Sequence, residues 1–132
     1  FRISNIEDIN RVSRELGNKV ITEVSKNVQG NIAEKYIFVR YMGPKFVIAF
    51  SGVELNGVAE FINELKEKLE NTIISLNETN DEEEENKKME VCPKLNFTLS
   101  TYYKGTGLEE VLKKQEEYLD NCNVDESDIT NI

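Results

Sequence analysis

The chain has 132 residues, 25 of them acidic and 16 basic, with no histidine and a formal net charge of -9. That length suits one domain. The acidic excess argues against a nucleic-acid partner, which needs a basic patch to displace counterions, and against an anionic membrane surface. No apolar run reaches the roughly 18–20 residues of a membrane helix. Cys92 and Cys122 form no CxxC pair and have no histidine to join them, so no zinc set is expected. Both read as free thiols of a reducing cytoplasm.

The chain opens Phe1-Arg2-Ile3-Ser4 without an initiator Met, inside an expected strand over Phe1–Asn5. This leads us to expect a domain from a longer protein. Ile6, Ile9 and Val12, spaced by three, predict a helix. Leu16, Val20, Val24 and Val28, with Ile21 beside them, predict a second. Gly17 is the expected bend between the two, and Gly30-Asn31 the expected C-cap. Tyr36–Tyr41 and Lys45–Phe50 are rich in aromatic and β-branched residues and predict a hairpin.

Ser51–Asn56 reads as a loop, with Asn56 capping a helix whose stripe is Val58, Phe61, Ile62, Leu65 and Leu69. Ile73–Leu76 is expected to extend it. Asn77–Lys88 is acidic and low in complexity, a solvated loop. Its Asp81–Glu85 run lacks the spacing and Gly of a calcium loop. Leu95, Phe97, Leu99 and Thr101 alternate with polar residues and predict a half-buried strand. Thr106-Gly107-Leu108-Glu109 is a capping box. It opens a helix with Leu108, Val111, Leu112, Leu119 and Cys122 on one side. Residues 124–132 are expected to form an acidic C-terminal tail after a domain spanning 1–123, or an edge strand at most. The order β-α-β-β-α-β plus a C-terminal helix predicts an α+β, ferredoxin-like or palm-like fold. Its antiparallel sheet would carry helices on one face.

Three stretches resemble one family. Ile9-Asn10 followed by Gly17-Asn18-Lys19-Val20-Ile21 is similar to "IND…GD-x-VL". Arg40-Tyr41-Met42-Gly43-Pro44-Lys45-Phe46-Val47-Ile48 is similar to "RYGGDEFVI". Asn96–Ser100 with Leu108–Gln115 is similar to "VTVSIG…LL-x-x-AD". Their order and spacing resemble the GGDEF domains, the diguanylate cyclases, which join two GTP molecules into cyclic di-GMP. The resemblance reaches to about Cys122.

The resemblance implies two metal ions held by a carboxylate on the first strand and another at the hairpin tip. Phosphoryl transfer depends on such positioning and charge neutralisation. Here Arg2 stands at the first position, Pro44 at the second, and Lys45 in place of the neighbouring acid. Mg²⁺ is therefore not expected to bind, and no catalytic residue is assigned. The degenerate motif is Met42, Gly43, Pro44, Lys45 and Phe46. Met42 replaces the first Gly, and Pro44 removes an amide donor. Asn18 replaces the guanine-reading Asp and cannot accept the guanine N–H groups as a carboxylate does. Asn123 replaces a phosphate-binding Lys. Ala33 and Tyr36 replace the RxxD of the inhibitory product site. Asn10 alone matches a base-binding residue, so Asn10, Asn18 and Gly43 are the vestigial nucleotide-binding set.

Arg2 and Lys45 read as surface charges, with anion binding the sharper alternative. Tyr102-Tyr103 read as packing or turn residues before base-stacking ones.

The expected function is that of an inactive GGDEF-like regulatory domain in bacterial cyclic di-GMP signalling. Its partners by resemblance are an EAL phosphodiesterase or sensor domain of the same polypeptide, GTP bound weakly, and a second copy of itself. The alternative is a purely structural interaction domain with no nucleotide site. A working cyclase with displaced metal ligands ranks last.

Overall fold

Strand β1, Arg2–Ile3, lies at the centre of a five-stranded sheet in the computed structural model, which describes residues 1–78, 87–103, 105, 107–122 and 128–132. Two helices follow it, α1 (Ile6–Val12) and α2 (Arg14–Asn31). Next come the hairpin β2 (Ile37–Met42) and β3 (Lys45–Ala49), and helix α3 (Leu55–Glu70). A second hairpin, β4 (Ile74–Glu78) and β5 (Lys87–Val91), precedes β6 (Leu95–Leu99), α4 (Leu108–Asn121) and β7 (Asp128–Asn131). The fold is α+β with a helix near the C-terminus. Among the described residues no helix is long and apolar enough to cross a membrane.

The main sheet has the order β2-β3-β1-β6-β7. Its first four strands are antiparallel neighbours, but β7 runs parallel to β6. The sheet is therefore mixed, not antiparallel throughout. The reason lies in the connection: α4 carries the chain back along the sheet, as a parallel neighbour requires. The expected tail thus contributes a paired edge strand at Asp128–Asn131. Residues 123–127, which include Asn123, lie outside the described set.

Alternation sorts the side chains onto two faces. Phe1, Ile3, Phe46, Leu95, Phe97 and Leu99 are buried in the main core. There they meet the stripes Leu16, Val20, Val24, Val28 of α2 and Val58, Ile62, Leu65, Leu69 of α3. Four aromatic rings cross the sheet in a row. Phe38 lies 5.8 Å from Phe46, Phe46 5.0 Å from Phe1, and Phe1 4.8 Å from Phe97. Such pairs contribute about 0.5–1.5 kcal/mol each beyond the area they bury.

Arg2, Lys45 and Asn96 occupy the other face in one cross-strand row. Their side-chain contacts run to α4 and to each other. So α4 covers the face opposite α2 and α3, and the helices are not confined to one side. That explains why every residue of β6 is buried, Asn96 and Thr98 included. The alternation there marks two covered faces rather than one wet one.

Local details also differ from expectation. Ser13, not Gly17, separates α1 from α2. Its extended backbone donates to the Ile9 carbonyl and its Oγ accepts from the Leu16 amide at 3.1 Å, ending one helix and starting the next. Val12 is 74% exposed because α1 stops immediately after it. Helix α2 runs through Gly30 and Asn31 and ends at extended Ile32. Glu54, without a side-chain bond, occupies the N-cap of α3, and Asn56 lies inside its first turn. Residues Ile74–Glu78 form β4 rather than a helical extension. Asn77 and Lys88 pair across that hairpin, so the expected loop is narrower than its composition suggests. Residues 79–86, with the Asp81–Glu85 run, and Thr106 of the capping box lie outside the described residues. Gly107 takes the N-cap of α4.

Buried position and exposure set the cost of truncation. Leu95→Ala, at a fully buried site in a central strand, is expected to destabilise by about 2–5 kcal/mol in urea unfolding. Val12→Ala should stay within about 0.5 kcal/mol of wild type in the same measurement.

Candidate functional site

The hairpin tip is built from four local decisions. A register shift between Arg40 and Met42 bends the end of β2. Gly43 turns the chain with φ +56°, the left-handed region that favours glycine. Arg40 Nε donates to the Gly43 carbonyl at 2.7 Å and pins the turn. The Pro44 carbonyl accepts from the Ile3 amide at 3.0 Å, which ties the tip to β1. Beyond it, Phe46 enters the core, while Met42 points outward, 64% exposed.

Lys45 behaves differently from a surface charge. Its side chain is 19% exposed, and its ammonium lies 2.8 Å from Asp120 and 3.1 Å from Glu116. The two carboxylates are four residues apart on α4, one turn above each other. The hydrogen bond to Asp120, then that to Glu116, holds the Lys45 ammonium above its ordinary value of 10.5, against a partial loss of solvation. Arg2, opposite Lys45 in the ladder, donates through Nε to Asn96 Oδ1 at 3.0 Å and through Nη2 to the Cys122 carbonyl at 2.9 Å. That guanidinium therefore sits at the C-terminal end of α4, where the helix dipole favours a cation. Both cations face inward and bind α4. They do not form an open anion site.

A small cavity of about 70 Å³ lies between the hairpin and α4, lined by Phe1, Tyr41, Lys45, Thr98, Gln115 and Glu116 among others. It has room for a few waters and falls far short of the roughly 300 Å³ at which ligand pockets begin. A wider cleft of about 840 Å³ opens beside it, between β3 and α4, with Tyr102, Tyr103 and Leu108 on its wall. Tyr102 and Tyr103 are exposed there.

The expected nucleotide set is divided. Asn10 is exposed on α1, and its amide lies across the Cα of Gly17 on α2. A Cβ on Gly17 would stand 1.8 Å from Asn10 Oδ1. Gly17 thus admits a side chain rather than bending the helix. Asn18 is exposed, with its carbonyl accepting from Thr22 Oγ1 at 3.0 Å. Asn10 and Asn18 share the α1–α2 pair. Gly43 belongs to the hairpin, and none of the three is among the described residues lining either cavity. Ala33 and Tyr36 are joined by a backbone hydrogen bond of 3.0 Å in the loop before β2.

Glu116 and Asp120 escape a reading by apolar periodicity. One signal for them exists in the sequence. Two acids at i and i+4 repel each other, and such a pair on the sheet-facing side of a helix calls for a cation. Compared with known proteins, the chain matches no family model and no curated protein.

Lys45→Met is expected to destabilise by about 1–2 kcal/mol. That is a charged hydrogen-bond pair discounted for the exposure of its carboxylates. The pH dependence has a definite sign. A lysine raised on folding contributes fully below 10.5 and loses its contribution as pH rises through the raised value. The stability gap between wild type and Lys45→Met, followed by urea unfolding, should be flat from pH 8 to pH 10. It should narrow above that range.

Proposed function

We propose that this chain is a catalytically silent, GGDEF-like regulatory domain of a cyclic di-GMP signalling protein. It acts on a neighbouring EAL or sensor domain of its own polypeptide, or through a second copy of itself. On this reading it works in the cytoplasm. The observation that carries the proposal is the occupation of the hairpin crest by the protein's own cations. Where the resemblance implies carboxylates gripping metal, Arg2 is bonded to Asn96 and the α4 terminus, and Lys45 to Glu116 and Asp120. These residues do not fit a divalent metal. A guanidinium and an ammonium repel it, and both carboxylates beside the crest are already engaged by Lys45.

Purified chain incubated with GTP and Mg²⁺ or Mn²⁺ is expected to yield no cyclic di-GMP by chromatography. Product above the background of a boiled control would overturn the proposal.

A second reading, a structural interaction domain without a nucleotide site, is favoured by one finding. Asn10 and Asn18 stand exposed on the helices, outside both cavities. Calorimetry separates the two. Retained GTP binding should be micromolar and should weaken with Asn10→Ala. It should weaken equally with Gly17→Ala, whose methyl displaces the Asn10 amide while favouring the helix by up to about 1 kcal/mol. No heat with GTP, GDP or cyclic di-GMP would select the structural reading.

A further inference from the structure

The wide cleft beside α4 continues the line of β1. Strands β3 and β6 both pair with β1, so two strand spacings, about 9.6 Å, separate them. Strand β1 and its neighbour Phe1 fill that interval as far as Phe46 and Phe97. Past that point β3 goes on through Val47, Ile48 and Ala49, and β6 through Thr98 and Leu99 to Ser100. All six residues line the cleft of about 840 Å³. Among the described residues no strand runs between them.

Backbone direction and wall chemistry both fit a strand there. The Phe46 amide donates to the Phe1 carbonyl, so Ile48, two residues on, turns its N–H and C=O to the same side. The Leu99 carbonyl accepts from the Ile132 amide on the β7 side, so the backbone groups of Thr98 turn the other way, into the cleft. The Thr98 carbonyl receives the Gln115 side-chain amide at 3.4 Å, long for a hydrogen bond. Alternation puts Ile48 and Leu99 on the core side, near Leu55 and Val58. It puts Val47 and Ala49 on the α4 side, near Val111 and Leu112. The two charged residues of the lining, Lys35 and Glu54, are opposite in sign.

We infer that the cleft receives an extended apolar segment of the same polypeptide, in line with β1 and antiparallel to β3 and β6. This rests on the reading of the chain as part of a longer polypeptide, and on nothing about nucleotides. Three residues, about 10 Å, span the distance to Ala49. By the register of β1, the first stands opposite Val47 and Thr98, the second opposite Ile48 and Leu99, and the third opposite Ala49 and Ser100. A strand covered on both faces calls for aliphatic residues at all three.

The test compares the whole chain with the same chain extended before Phe1 by Met-Ser-Val-Ile-Val. Controls are an extension Met-Ser-Asp-Gly-Asp and the unextended chain acetylated at Phe1. With the apolar extension, hydrogen exchange should slow by about tenfold or more at the amides of Ile48 and Thr98, and the urea midpoint should rise. Both controls should stay near the parent chain. Protection that is absent, that falls elsewhere, or that either control reproduces overturns the inference. Protection seen only with concentration-dependent dimerisation overturns it too, since the segment would then pair between copies. No arm involves nucleotide, so failure here is distinct from failure of the cyclase assay.

Discussion

The register of β1 is the constraint on which the remaining architecture rests. The strand has two residues, yet it is hydrogen-bonded on both sides. Phe1 exchanges two backbone hydrogen bonds of 2.8 Å with Phe46, and Ile3 reaches Pro44 and Leu95. A slip of one residue would turn every side chain of the strand to the opposite face. Phe1 would leave the stack between Phe46 and Phe97, and Arg2 would enter the apolar core. Neither outcome is tolerable, so a short strand is strongly specified. The same register lines up Arg2, Lys45 and Asn96 beneath α4. Core packing and crest chemistry are therefore two consequences of one alignment.

Helix α4 illustrates how a polar face can be held in place. Only Leu119 of this helix is buried. An amphipathic stripe so thin gives little hydrophobic attachment. The deficit is met by directed contacts: Lys45 to Glu116 and Asp120, Arg2 to the C-terminal carbonyl, and Tyr118 to Thr130 at 3.0 Å. Each involves groups that keep some water, so each contributes modestly. Together they fix the azimuth of α4 over β6, which a smooth apolar contact would leave loosely defined.

What was legible in the sequence follows physical range. The stripes 16-20-24-28 and 58-62-65-69 are written in local periodicity, and both are core. The hairpin over 36–50 is similarly local. Strands β4 and β5 were not legible because Ser75, Asn77, Lys88 and Glu90 lack β-preferring chemistry, and the pairing compensates for their weak propensity. The wet face assigned to β6 was wrong because a second covering helix cannot be inferred from the strand. The break at Ser13 was masked by Gly17, a louder signal whose actual role is to leave room for Asn10. At the crest, the identities of Arg2, Pro44 and Lys45 were visible. Their partners were not, since Lys45 and Glu116 are 71 residues apart. A cation with no visible partner is read as surface, and only the fold brings the carboxylates to it.

The pairing at the crest also decides what can visit it. Arg2 and Lys45 contribute two positive charges, and Glu116 and Asp120 return two negative ones. At any distance beyond a few ångströms the cluster projects almost no field, and salt screens the remainder within about 8–10 Å. A triphosphate approaching the tip meets no net attraction. To win Lys45 it must displace two carboxylates that already accept its protons, and both would then be left beside the new anion. The acids on α4 satisfy Lys45 from within, while Asn96 and the Cys122 carbonyl satisfy Arg2. The crest cations are thus partnered from within the protein. These contacts bind helix to sheet.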